Sequence, residues 1–289
     1  MTLTELLVAT SLTVLAAGAA VAAVMPVQRG FSAHPEAAGL SQRTRVVSEL
    51  LSADIRRASL VLPMRVGVVG SDIAGGVFFR DSVITTVADP IEALARGVVA
   101  PSDSRTYHLR QDGEGIWQLM QYDGRLSDQP SVEDVILLRF EYFGDGEPPV
   151  ATIDQRGRIH VTYGAPPPPM GVDDPGDSWG VGENCTIVNA GGQYLPRLEN
   201  IGAGVIAIGQ AILTDGPWCP DAAHAFRFDA DLLRIRRVRV HVRLQAARPF
   251  RGLAGLLFAN SGSALDRWRQ VPDETVTLDV APRNINVAR

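Results

Sequence analysis

Lysine does not occur anywhere in this 289-residue chain, so all 27 of its Lys/Arg cations are arginines. That bias reflects coding composition rather than mechanism. Positive charge is also in deficit: 32 acidic residues outnumber the arginines, giving a formal net charge of −5. Nucleic acid is therefore not an expected partner, because phosphate backbones are gripped by basic patches. Cysteine is scarce too. Two residues, Cys185 and Cys219, are too few for a disulfide framework, and outside the cytoplasm an even pair is expected to bridge. The five histidines, His34, His108, His160, His224 and His241, never stand three or four residues apart, and no Cys-x-x-Cys occurs. Zinc spacing is thus missing, and they read as surface or loop residues. No G-x-S-x-G nucleophile elbow exists; Ser261-Gly262-Ser263 sits in a Gly- and Asn-rich stretch expected to be a loop. Gly202-Ala203-Gly204-Val205-Ile206-Ala207 matches G-x-G-x-x-A only on paper, because neither flank reads as part of a βαβ unit. It is expected to be a glycine-bearing strand or turn. No catalytic constellation emerges, so neither an enzyme nor a cofactor is expected.

The most informative absence is local. From Leu6 to Met25 there is no charged residue. At 1.5 Å per residue those positions make about 30 Å of helix, enough to cross the hydrocarbon core of a bilayer. Glu5 stands immediately before the run. An ionisable group at such a place is costly, and it is expected to have a function and a partner. The run is also rich in small residues, with Gly18 and Ala22, or Ala16 and Ala20, four apart. Small residues at that spacing let helices approach closely, which a simple lipid anchor does not need. The segment reads as a helix built to leave lipid and pack against other helices.

Thr2-Leu3-Thr4-Glu5-Leu6-Leu7-Val8-Ala9 resembles the processed N-terminus of type IV pilins and pseudopilins. In that family a peptidase cuts after a glycine, the new first residue (usually Phe) is N-methylated, and the fifth is Glu. The resemblance implies N-methylation at Met1, processing by a prepilin peptidase, and an assembly role for Glu5. The family's glycine and basic leader are not in the chain, which reads either as the mature form or as one drawn from a misplaced start. An uncleaved signal-anchor is the plain alternative, but it has no use for Glu5. A cleavable secretory signal fits less well, because the apolar run is long and lacks a basic n-region.

After residue 25, Pro26, Gly30, Pro35 and Gly39 are expected to kink or break the helix. Helical spacing resumes over Leu40–Leu62, with Val47, Leu50, Leu51, Ile55, Ala58 and Leu62 on one face, and Pro63 is expected to end it. The run Leu50–Ala58 resembles the PilW and secretion-J branch of minor pilins. Short strands are expected at Val66–Val69, Val77–Phe79 and Val83–Val87, and a hairpin over Tyr107–Arg110 and Ile116–Tyr122 about Asp112-Gly113-Glu114-Gly115. Val135–Phe143 reads as the strongest central strand. Residues 144–200 are rich in Pro and Gly and are expected to be an irregular insertion rather than a second core. Ile201–Leu213 reads as a buried strand pair. Strict alternation over Arg236–Leu244 puts Val238, Val240, Val242 and Leu244 on one side and Arg237, Arg239, His241 and Arg243 on the other. Val276, Leu278 and Val280 repeat that pattern.

Two surface features could bind something. Asp173, Asp174 and Asp177, with Glu183 and Asn184 nearby, are candidate Ca²⁺ ligands, and some minor pilins bind calcium; acids around Pro175-Gly176 more often make a solvated turn. Arg237, Arg239 and Arg243, led by Arg234 and Arg236, could grip an acidic partner. The favoured alternative is an edge strand blunted by charge against aggregation.

The expectation is an α+β, pilin-like chain. Residues 1–25 form a transmembrane and filament-core helix, 26–62 a linker and amphipathic stem helix, and 63–289 one β-rich head with an antiparallel sheet. The resemblance implies a single-pass inner-membrane protein with its head in the periplasm. It would assemble with other pilin or pseudopilin subunits into a type IV pilus or type II secretion pseudopilus, priming assembly at the tip. A major pilin, a tip adhesin using 144–200, and an anchored periplasmic binding domain remain the alternatives.

Overall fold

A computed structural model describes residues 2–58, 83–87, 104–123, 127–169, 179–219, 221–223, 228–251, 257–258, 260–265 and 269–282. The chain begins with one long helix, α1 (Leu3–Arg57). It runs unbroken through Pro26, Gly30, Pro35 and Gly39, contrary to the expected break. A proline removes one backbone donor, which helical turns on both sides can tolerate. The helix also stops at Arg57, short of Leu62. Arg56 and Arg57 complement the negative end of its dipole, and the Ala58 N–H still donates to the Asp54 carbonyl at 2.9 Å.

The strands are antiparallel. In chain order they are β1 (Ile84–Val87), β2 (Ser104–Gln111), β3 (Trp117–Tyr122), β4 (Asp128–Glu133) and β5 (Val135–Asp145). They continue with β6 (Ala151–Ile153), β7 (Ile159–Val161), β8 (Ile187–Ala190), β9 (Gln193–Pro196), β10 (Val205–Ile208), β11 (Trp218–Cys219) and β12 (Phe228–Asp229). A 3₁₀ turn at Ala230–Arg234 leads into β13 (Ile235–Gln245), followed by β14 (Phe250–Arg251), β15 (Asn260–Ala264) and β16 (Arg269–Val280). The result is α+β. Two expected strands, Val66–Val69 and Val77–Phe79, lie outside the described residues.

The chain divides into two compact units. The smaller joins residues 1–45 to 243–275, and the larger joins 46–242 to 276–289. In the smaller unit, Leu3–Val24 is wholly exposed, whereas Ala33, Leu40 and Thr44 are buried. Glu36 ties the helix to the strand region by accepting the Ala247 N–H at 2.7 Å, and Thr44 donates to Glu274 at 3.2 Å. β14 and β15 both pair with β16. Ser261-Gly262-Ser263 is thus strand rather than loop. Gly262 has φ +71, and a Cβ there would stand 1.7 Å from the Val271 carbonyl oxygen, so this irregular pairing requires glycine.

In the larger unit, β1-β2-β3-β4 form one sheet in sequence order. The β2–β3 turn is closed by Asp112, whose Oδ1 accepts the N–H groups of Glu114 and Ile116. Val47, Leu51 and Ile55 of α1 are fully buried, each contributing about 1.5–3 kcal/mol by leaving water. A second sheet has β10 at its edge, then β5, then β13, then the last residues of β16. β13 is therefore interior, not the expected edge. Its alternation reflects one face in the core (Val238, Val240, Val242) and one solvated face. Ile201–Leu213 yields one strand instead of a buried pair. Gly202 and Gly204, both at positive φ, turn the chain before β10, and Val205 stays 56% exposed.

The described residues of the stretch 144–200 (144–169 and 179–200) are more regular than expected. It holds two hairpins, β6–β7 and β8–β9. It also contributes Tyr163 and Leu198 to a small core with Cys219 and Ala230, packed by Cys185, Phe228 and Leu233. Apolar residues from after the insertion complete that core, which is why the proline-rich stretch alone gave no sign of it.

Candidate functional site

The N-terminal segment is the first candidate. Leu3–Val24 has a mean hydropathy of 2.1 and no buried residue, and it is long and apolar enough to cross a membrane. Its hydroxyls do not need water. Thr10 donates to the Leu6 and Leu7 carbonyls, Ser11 to Leu7, and Thr13 to Ala9, at 2.8–3.0 Å. Satisfying polar groups on the helix's own backbone is what a hydrocarbon environment demands. A Cβ at Gly18 would meet nothing within 4 Å, so that notch is open to another helix.

Glu5 has a local partner. Its Oε2 accepts the Thr2 N–H at 2.8 Å, while the Glu5 N–H reaches Thr2 Oγ1 at 3.4 Å. This is a reciprocal capping box, Ser/Thr followed three residues later by Glu, which satisfies two backbone donors that a helix start leaves free. The positive end of the helix dipole favours the carboxylate there. The spacing Thr2-x-x-Glu5 is itself a capping-box signature legible in the sequence. Met1 lies outside the described residues.

Of the calcium candidates, Asp173, Asp174 and Asp177 lie outside the described residues. Glu183 and Asn184 are engaged within the chain. Glu183 pairs with Arg197 and accepts the Asn189 N–H at 3.1 Å, while Asn184 Oδ1 accepts from Thr186 and Ile187. Arg197 also lies over Trp179, 4.3 Å from the ring centroid. Cys185 and Cys219 are joined as a disulfide, as expected.

A carboxylate group that sequence reading missed lies nearby. Asp215, Asp229 and Asp231 bring one oxygen each within 4.8 Å of the others. Asp229 and Asp231 are close in sequence, but Asp215 joins them only through the fold. Burial raises both Asp229 and Asp231, Asp231 to about 7, with Arg234 opposing the shift at Asp231. These groups have internal duties. Asp229 accepts the N–H groups of Asp231 and Gly216, at 2.8 and 2.7 Å, and Asp231 pairs with Arg234. Arg234 is completely buried, and its guanidinium also donates to the carbonyls of Gly146 and Glu199 at 3.1 and 2.6 Å.

The arginine face resolves differently residue by residue. Arg236 donates to Asp145 at 2.8 Å, Arg239 to Asp279 at 3.0 Å, and Arg243 to Asp273 at 2.8 Å. The face thus already holds acidic partners from its own chain. Among the described histidines, His34 on α1 and His160 are exposed as expected, and His108, buried on β2, overturns the surface reading. His224 lies outside the described residues. His160 and His241 sit on strands beside Asp154 and Glu141, both at 3.3 Å. No known family, curated protein or solved structure matches this chain.

Proposed function

We propose that this chain is a membrane-anchored, pilin-like subunit of the PilW-like kind, assembling through its N-terminal helix into a type IV pilus or type II secretion pseudopilus. One observation carries the reading: a fully exposed, apolar helix with small-residue notches is headed by the single carboxylate of Glu5. A plain anchor requires the hydrophobicity alone. The role is mechanical, and no catalysis is assigned to it.

The capping box gives this reading a physical course. Before assembly, the Thr2 N–H and the helix dipole offset part of the cost of carrying Glu5 at the edge of hydrocarbon. The amine of a neighbouring subunit's first residue offers a full opposite charge. In a low-dielectric setting that attraction outweighs the neutral cap and draws the subunit into register. Prepilin peptidase processing and methylation at Met1 belong to the same proposal, as does an inner-membrane location with the head in the periplasm.

Glu5→Gln and Glu5→Ala separate the two roles. Gln still closes a capping box but carries no charge. Both variants are expected to remain in the membrane fraction and to fall at least tenfold in sheared filaments. Wild-type incorporation of Glu5→Gln would reject the charge-pairing mechanism. Tip placement rests on size. A domain of ~225 residues has a radius of gyration near 17 Å, so its width crowds closely packed helices along a shaft. Quantitative mass spectrometry of purified filaments is expected to show far fewer copies than the main subunit.

A further inference from the structure

An outer strand presents a row of unused backbone donors and acceptors, and folded chains usually blunt it with proline, charge or a bulge. β4, the outer strand of the first sheet, carries all three. It has Pro130, the exposed Glu133, and a register shift that skips Ser131 between Pro130 and Val132. β10, the outer strand of the second sheet, carries none of them. From Ala203 to Gly209 there is no charge and no proline, and its register against β5 is unbroken.

The phase of the ladder shows which groups β10 leaves unused. The Gly146 N–H donates to the Gly204 carbonyl at 2.8 Å, one step beyond the Val205–Asp145 pair. Antiparallel ladders alternate between bonded and non-bonded pairs. Ile206–Gly144 and Ile208–Tyr142 are therefore the bonded pairs, and the N–H and C=O of Val205 and Ala207 point away from β5. Among the described residues no hydrogen bond reaches those groups. Nothing bulky shields them. Ala203, Gly204, Val205, Ala207 and Gly209 are all exposed, and a Cβ at Gly204 or Gly209 would meet nothing within 4 Å.

We infer that β10 pairs antiparallel with β10 of a second copy of this chain, centred on Ile206. In that register Val205 stands opposite the second copy's Ala207, and Ala207 opposite its Val205. Each pair exchanges two hydrogen bonds, so every outward group of both strands is satisfied. The outward pattern selects an extended strand, because no other element presents N–H and C=O at a two-residue spacing. It selects a second copy because an added strand from elsewhere would leave its own far edge open, whereas self-pairing closes both edges at once. With no charge between Ala203 and Gly209, the two copies set no like charges against each other along the seam. The inference stands apart from the assembly reading, since it uses only the larger unit.

The register supplies the test. Ile206 would face its own copy as a non-bonded pair, with Cα atoms about 4.5 Å apart, within disulfide reach. Val205 would face its own copy only diagonally, about 7–8 Å away and outside that reach. Membranes from cells producing the full chain as Ile206→Cys or Val205→Cys are oxidised with copper phenanthroline and run on a non-reducing gel. Ile206→Cys is expected to give a band at twice the 31.0 kDa of the chain, at least fivefold stronger than Val205→Cys. Adding Ala207→Pro removes one outward N–H without touching a bond to β5, and is expected to cut that band at least tenfold. Circular dichroism of the purified chain is expected to match with and without the proline. Should it differ, Val205→Asp, which sets a charge in the apolar seam, is expected to cut the band at least threefold. A contact made by the N-terminal helices alone would label both cysteine positions equally and ignore the seam variants. Equal labelling, no band, a band that survives the seam variants, or an adduct at the mass of a different protein would overturn the inference.

Discussion

The Asp54 carboxylate, on α1, accepts a 2.5 Å hydrogen bond from the Tyr107 hydroxyl on β2, and Arg105 from the same strand reaches the same oxygen at 3.2 Å. Asp54 and Tyr107 are both buried. Burial and the adjoining carboxylate push the Tyr107 hydroxyl far above the ordinary tyrosine range, so it remains a donor at any physiological pH. A polar contact thus joins helix to sheet in the middle of an apolar interface.

Removing one side of that contact leaves the other unsatisfied. Asp54→Ala is expected to destabilise the larger unit by about 2–3 kcal/mol, and Tyr107→Phe by about 1–2 kcal/mol. Urea unfolding of the full chain in detergent measures both. The double variant should cost less than the sum, because the two residues share one interaction.

Arg234 is expected to be the most sensitive single position near the insertion. Arg234→Met would strand the Asp231 carboxylate and the carbonyls of Gly146 and Glu199. Breaking a buried pair in this way costs about 3–5 kcal/mol. A Cβ on Gly144 would stand 2.3 Å from the Arg234 carbonyl oxygen, so Gly144→Ala should disturb the same junction. Limited proteolysis is expected to cut within 144–200 in both variants before it cuts wild type.

The disulfide spans a sequence separation of 34 residues. Replacing Cys185 and Cys219 together by serine is expected to lower stability by about 3–4 kcal/mol in the chain-entropy account. Equilibrium unfolding with and without reductant provides the check. Wild type in reductant should approach the double variant, which should not respond to reductant.

His108 predicts an acid-sensitive sheet. Its Nε2 lies 3.6 Å from Asp128 Oδ2, which Arg110 holds at 2.6 Å. Burial lowers the imidazole, with Arg110 adding to the effect and Asp128 opposing it. The unfolded chain therefore binds a proton here more readily than the folded chain. His108 contributes full stability above the unfolded value of about 6.5, and that contribution is lost as pH falls through the folded value. Unfolding midpoints between pH 8 and 5 should decline more for wild type than for His108→Gln.

Where period and turn chemistry act locally, the sequence sufficed. Asp112-Gly113-Glu114-Gly115 marked the β2–β3 hairpin because an aspartate and a positive-φ glycine close that turn by themselves. The alternation of Val238, Val240 and Val242 with arginines identified β13, because strand side chains point to opposite faces. It did not show that β13 is interior, since a charged outer face looks the same on an edge strand as on a central one. The distinction lies in whether β5 and β16 pair on both sides. That is a property of residues about a hundred and about forty positions away.

The apolar run after Glu5 determined on its own that α1 begins with a segment able to span a membrane, because length and hydrophobicity need no tertiary partner. The Thr2–Glu5 cap is equally local. Only the tertiary structure decided that Arg234 is buried, that Asp215 meets Asp229 and Asp231, and that the β13 arginines face acids of their own chain. Each depends on side chains far apart in sequence being brought together by the fold, and for the buried Arg234 the low-dielectric surroundings leave a charge no choice but to find a partner.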